Sequence, residues 1–432
     1  MGTELSRGTQ IPTMFGATAT VKRMLGGGGQ GDVYVVDYNG MDKALKWYSK
    51  GNAASNTLFM ENLRSNVMNG SPKQEFLWPI DMTQPYNGTF GYIMDLAPKG
   101  FYEATEFFLY NVHFSSFKVA VDACLKIVSA FLVLHNDGYC YQDVSGGNFF
   151  INPTTGEVLI CDNDNVVPNG HQTGILGTPR YMAPEIVRGD TTPNVHSDLY
   201  SIAVVIFMLL CMAHPLEGRR SLVPALTEEM QLKLYGTEPL FVMDPDNTDN
   251  RPDTKIHRNL MAVWTCLPEH LRELMLQAFS QDSLMHPSHR PTEADWVRAL
   301  TRFRSEIVSC SCGNEVFAQY GAPRFCEKCG QKISVPTYLK LSGYALPCMV
   351  GTRIYKCQTC VCNFDEVLDP VAAVVASPTN PQMLGVMNVS GGPWEAMTTT
   401  GQKRVVESGA GLPAKEGIAF RLNNETVEIV NN

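Results

Sequence analysis

The stretch LGGGGQGDVYVV, Leu25 to Val36, restricts the fold of this chain more than any other. Gly26, Gly28 and Gly31 satisfy a G-x-G-x-x-G spacing, with Val33 two residues further on. Four glycines in a row satisfy many patterns, so the residues around them decide the reading. A dinucleotide-binding turn requires a helix directly after the glycines. Here DVYVV follows, and TATVKRML precedes, both with the alternation of β-strands. The glycines therefore join two strands of a hairpin, and a third strand ends near Lys46.

A glycine flap between antiparallel strands suits a cover for nucleotide phosphates, and that use makes further demands on the sequence. A lysine belongs on the next strand, and KALK supplies Lys46. A carboxylate from the following helix, expected over about residues 57–68, would hold that lysine; Glu61 is the only acidic residue between Lys46 and Glu75. Further on, YQDVSGGN offers Asp143 to orient a hydroxyl and Asn148 to bind a divalent cation. After one strand–turn–strand, ICDND offers Asp162 as the principal cation ligand. Phosphoryl transfer needs this grouping because cations and positioning, more than covalent help, stabilise the migrating group.

In this order the motifs resemble the eukaryotic-like (Hanks-type) protein kinases. GTPRYMAPE, Gly177–Glu185, looks like the end of an activation segment, SDLYSIAVVIF places Asp198 at the start of the central buried helix, and HPSHRPT places Arg290 as the partner of Glu185. The resemblance implies an α+β, bilobal fold with a β-rich N-lobe and a helical C-lobe over residues 15–303. It also implies ATP with Mg²⁺ or Mn²⁺ as cofactors, and Met94, Asp95, Leu96 and Ala97 as the adenine-binding hinge. The expected reaction is transfer of the γ-phosphoryl group to Ser or Thr of a protein. Thr178 stands where the family favours such acceptors.

Three motifs depart from the family pattern. His-Arg-Asp is Tyr141-Gln142-Asp143, so the receptor for an activation-loop phosphate is missing and regulation independent of such a phosphate is expected. The lysine two residues after the catalytic aspartate is Ser145, and Asp-Phe-Gly is Asp162-Asn163-Asp164. Asp164 is either an extra metal ligand or a solvated carboxylate. These departures leave a pseudokinase, a nucleotide-binding scaffold without transfer, as the alternative.

Eight of the thirteen cysteines fall between Cys310 and Cys362. Cys310 and Cys312 on one turn, with Cys326 and Cys329 on another and a glycine after each pair, read as a structural zinc ribbon over 307–333. Cys348, Cys357, Cys360 and Cys362 are candidates for a second site, without glycine knuckles. Residues 336–432 read as short strands between Gly, Pro and Asn turns, a small β-sandwich-like module that faintly resembles a degenerate forkhead-associated domain. The whole arrangement is similar to bacterial kinases of tellurite-resistance-associated (TerY-phosphorylation) triads. That similarity implies a PP2C-type phosphatase and a von Willebrand A-type protein as partners.

Composition bounds the rest. The 432 residues are 44% hydrophobic and 18% charged, with a net charge of −9, which gives no footprint for nucleic acid or an anionic membrane. The longest apolar run, Ile202 to Ala213, is shorter than the roughly 20 residues a bilayer span takes, and reads as a buried helix. The start of the chain carries no apolar signal region, so a reducing cytoplasmic setting is expected.

Overall fold

The computed structural model describes residues 4–49, 57–171 and 174–432. The N-terminal part builds strands β1 (Gln10–Pro12), β2 (Thr18–Gly27), β3 (Gly31–Tyr38) and β4 (Met41–Tyr48), helix α1 (Thr57–Asn69), and strands β5 (Asp81–Met82) and β6 (Gly91–Met94). The six strands form one antiparallel sheet in the order β1-β2-β3-β4-β6-β5. Side chains alternate between its faces. Leu45 and Trp47 pack with Val21, Tyr34 and Val36 on one face. Ala44 and Tyr48 pack on the other with Phe59 and Leu63 of α1. Lys46, between Ala44 and Tyr48 in this alternation, therefore shares the face that α1 covers. Two register shifts between β2 and β3 bend the hairpin as it approaches the glycines.

Below the sheet, α2 (Ala104–Phe108) and α3 (Phe117–Asn136) are joined by helices Val195–Cys211, Glu269–Ala278 and Glu293–Glu306. Ser116 caps α3 by accepting from the Val119 amide, and Asn194 with Ser197 forms a capping box at Val195. The apolar run from Ile202 fills the last three turns of the helix Val195–Cys211, buried from Ser197 to Cys211, and ends two residues past it at Ala213. Phe207 stacks edge-on against Phe241 and Phe279 with centroids 5.4 and 5.7 Å away. Truncating a ring in such a core costs about 3–5 kcal/mol. Among the described residues no helix is long and apolar enough to cross a membrane.

After Glu306 the chain turns to two short hairpins, Ile307–Ser309 with Glu315–Phe317 and Arg324–Phe325 with Lys332–Ile333. Beyond them a six-stranded and a four-stranded antiparallel sheet share one core of Leu339, Val374, Val386, Trp394, Phe420 and Ile429, among others. This tail packs on the helical part. Phe317 sits between Phe117 and Phe303, with centroids 5.4 and 5.0 Å away, and Arg302 lies 4.9 Å over the Tyr344 ring. Arg304 pairs with Asp122 and reaches toward the Gly351 carbonyl.

Candidate active site

Lys46 is the centre of the polar cluster between sheet and helices. The register sets Val33 and Tyr92 opposite it on the neighbouring strands. Its Nζ lies 3.0 Å from both carboxylate oxygens of Asp164, 3.1 Å from Asp162 Oδ1 and 3.1 Å from Gln30 Oε1 at the glycine loop. Burial alone would pull the lysine pKa down; the charges of Asp164 and Asp162 outweigh that and raise it. Lys46 is therefore a buried, fully charged cation.

The expected partner Glu61 is not in this cluster. It is exposed on α1, because Phe59, Leu63, Asn66 and Val67 take the buried face. Toward the site α1 presents amides instead: Asn62 and Asn66 donate to the Val166 carbonyl at 2.7 and 2.8 Å. The carboxylate on Lys46 comes from Asp164, which is completely buried. That excludes the solvated alternative for Asp164. Its remaining partners, Tyr48 Oη at 2.6 Å and Tyr92 Oη at 3.2 Å, were not singled out in the sequence. Tyr48 carried a usable signal, since it follows Lys46 by two residues in a strand and so shares its face.

A short hairpin joins the lysine cluster to the loop that carries Asp143 and Asn148. Phe149–Ile151 pairs with Val158–Ile160, and the Cys161 amide donates to the Asn148 carbonyl at 2.9 Å. Asn148 and Asp162 thus sit at adjacent ends of one hairpin. Asp162 has a left-handed backbone, φ 55°, and its half-exposed carboxylate faces Lys46. Asn163 fills the buried position where the family carries Phe, donating to the Leu77 and Ile160 carbonyls at 2.9 and 2.8 Å. Asn148 donates to the Asp143 carbonyl and to Tyr141 Oη, and accepts from Ser145 Oγ at 2.6 Å. Ser145 thereby orients the asparagine; it supplies no charge.

Asp143 accepts a hydrogen bond of 2.7 Å from Thr178 Oγ1, and burial raises its pKa against that bond. Asp198 holds the loop below it, accepting from the Tyr141 and Gln142 amides at 2.6 and 3.1 Å and contacting His135 at 3.2 Å. Gln142 donates from its side chain to the His171 carbonyl at 2.9 Å, tying the loop to the start of the activation segment. Glu185 and Arg290 form a buried two-armed pair at 2.7 and 2.6 Å.

At the glycine loop, Gly31 is required by packing, since a Cβ there would lie 2.1 Å from the Trp47 carbonyl oxygen. Gly26 and Gly28 face open space, so the chain leaves room above the cleft. Val33, Ala44, Met94 and Leu96 share one apolar cluster, while Asp95 is exposed and paired with Lys43. Ala97, half-buried, follows Leu96.

The sequence profile of the protein kinase domain matches residues 19–298. The chain belongs to the protein kinase family. This kinase is 27% identical over 175 residues to glycogen synthase kinase 1 of Pyricularia oryzae, covering 38% of this chain and 43% of that protein. It is 25% identical over 186 residues to the serine/threonine-protein kinase pkn3 of Myxococcus xanthus, covering 40% and 29%. The chain thus spans less than half the length of these relatives. The solved PknI kinase domain of Mycobacterium tuberculosis aligns over 69% of this chain and 98% of that one, with 20% identity and a TM-score of 0.44.

Outside the kinase domain, the Sγ atoms of Cys310, Cys312, Cys326 and Cys329 lie within 4.8 Å of one another. Two of the spacings, Cys310 to Cys329 and Cys312 to Cys326, are 3.6 Å. A tetrahedral zinc with sulfur ligands at about 2.3 Å separates them by about 3.8 Å, so the four thiols fit that ion. Cys348, Cys357, Cys360 and Cys362 do not converge into a comparable group.

Proposed function

We propose that this kinase transfers the γ-phosphoryl group of ATP to serine or threonine hydroxyls of a protein partner, with Mg²⁺ or Mn²⁺ as the metal. The observation that carries this reading is the linkage of the four residues: Lys46 pairs with Asp162, the Cys161 amide beside Asp162 donates to the Asn148 carbonyl, and the Asn148 side chain donates to the Asp143 carbonyl. Gly26, Gly28 and Gly31 cover the phosphates, Lys46 grips them, and Val33 with Met94, Asp95, Leu96 and Ala97 surrounds the adenine. Asp162 and Asn148 hold the metal, whose chemistry when bound is to neutralise charge on the phosphates. Asp143 accepts the proton side of the attacking hydroxyl. Its bond to Thr178 supports this role, being the contact that a serine or threonine acceptor makes.

Control by an activation-loop phosphate is not part of this reading. Gln142 brings no charge for a phosphate to meet, and its amide already links catalytic loop and activation segment. The Cys310, Cys312, Cys326 and Cys329 group holds a structural Zn²⁺ in a ribbon at 307–333, and residues 336–432 form a docking or dimerisation module. The order of kinase, ribbon and β module supports partners of the triad kind, a PP2C-type phosphatase and a von Willebrand A-type protein.

The test is incubation with γ-labelled ATP, Mg²⁺ and a generic acceptor protein, followed by acid hydrolysis. Label is expected in phosphoserine and phosphothreonine. Nucleotide binding without transfer would make the protein a nucleotide-dependent scaffold instead.

A further inference from the structure

The charge that holds Lys46 has moved from helix α1 to the metal-binding segment. Asp164 stands 118 residues beyond Lys46 in sequence, yet both its oxygens lie 3.0 Å from Nζ. An ionised carboxylate offers about four lone-pair directions. Here all are used: Oδ1 accepts from Lys46 and Tyr92, and Oδ2 from Lys46 and Tyr48. Nothing is left over for a metal ion, and the group is fully shielded from solvent. Glu61, by contrast, points into water from the far side of α1.

We infer that Asp164, held by Tyr48 and Tyr92, is the residue that positions Lys46 for the nucleotide phosphates, and that Glu61 has no part in it. The inference rests on the phosphoryl-transfer reading of the site for its purpose, but not for its geometry. In this arrangement the lysine is oriented by the same short turn that carries Asp162. Two charges that must meet the nucleotide together, Lys46 and Asp162, are thus set by one element. Helix α1 bears on the site through neutral hydrogen bonds, Asn62 and Asn66 to the Val166 carbonyl. A shift of α1 would move the turn without breaking an ion pair.

The experiment is a double-mutant cycle read by affinity for a fluorescent ATP analogue, with phosphoryl transfer measured in parallel. Asp164→Asn is expected to weaken nucleotide binding about tenfold or more, and Glu61→Gln to change it less than about twofold. In a Lys46→Met background Asp164→Asn should cost almost nothing further, because its effect passes through the lysine. An equal loss in both backgrounds would mean that Asp164 only supports the fold, and would overturn the inference. So would a tenfold loss in Glu61→Gln with Asp164→Asn unchanged. Should Asp164→Asn fail to fold, Tyr48→Phe and Tyr92→Phe each remove one bond to the carboxylate; smaller losses that vanish in Lys46→Met are then expected, and losses that persist there would contradict it. If the cycle holds while the wild type transfers nothing, the positioning stands and the kinase reading fails. Transfer by the wild type with an additive cycle gives the reverse.

Discussion

Single residues carry most of the chemistry, and they differ in how readily the sequence exposes them. The order of Lys46, Asp143, Asn148 and Asp162 along the chain, with strands and turns between, makes them candidates for phosphate handling, and the fold links the four through short contacts. Glu61 is the only acidic residue in its stretch of sequence, yet the helix phase turns it away from Lys46. Phe59, Leu63 and Val67 recur every four residues and define the buried face; Glu61, two residues from Phe59, falls about 200° round the helix from it. Asp164 was open because a contact across 118 residues depends on tertiary packing that no local pattern encodes. Arg290 and Glu185 were paired by resemblance, and their geometry yields a sharp expectation. Glu185→Gln leaves the arginine charge buried without a counter-charge, which costs about 3–5 kcal/mol; a denaturant midpoint lowered to match, with an unchanged slope, checks it. On the proposed zinc reading of the four thiols, metal analysis of the purified protein should give one zinc per chain in the wild type and a small fraction of that in Cys326→Ser, because three thiolates bind the ion far more weakly than four.

Among the elements, α3 is the one whose role was least visible. The three- and four-residue spacing of its apolar side chains suits a buried helix, but does not show that His135 in its last turn sits between Glu293 and Asp198. The imidazole joins α3, the helix Glu293–Glu306 and the aspartate that holds the catalytic loop. Burial disfavours its charge, yet hydrogen bonds to Asp198 and Glu293 prevail and push its pKa up to about 9 from 6.5. A raised folded-state pKa stabilises the fold fully below the unfolded value near 6.5, and that contribution is lost as pH rises through about 9. The window corresponds to roughly 3 kcal/mol. Thermal midpoints should therefore fall between pH 6.5 and 9 in the wild type, and the fall should be much smaller in His135→Gln. Equal slopes in the two proteins would contradict the assignment. The β3–β4 register, in contrast, is that of a plain antiparallel hairpin, and it brings Val33 opposite Lys46.

At the scale of the whole molecule, the sequence texture changes near Ile307, where the helix Glu293–Glu306 gives way to hairpins. The contacts across that change were not readable from composition, since Phe117, Phe303 and Phe317 are ordinary apolar residues until the fold gathers them. The tail packs on α3 and the helix Glu293–Glu306, neither of which supplies a partner to Lys46, so its removal should lower stability before it alters nucleotide binding. Ending the chain after Glu306 is expected to reduce the thermal midpoint while leaving affinity for an ATP analogue within about twofold. An unchanged midpoint would show that the ring contacts contribute little. The central claim, that the two lobes form a working phosphotransfer site, is tested most directly by label transfer from γ-labelled ATP with Mg²⁺, comparing the wild type with Asp143→Asn. Transfer by the wild type, with a loss of about 10² to 10⁴ in rate and near-normal nucleotide affinity in the variant, is the predicted result. Equal rates in the two proteins, or no transfer by either while nucleotide still binds, would contradict it.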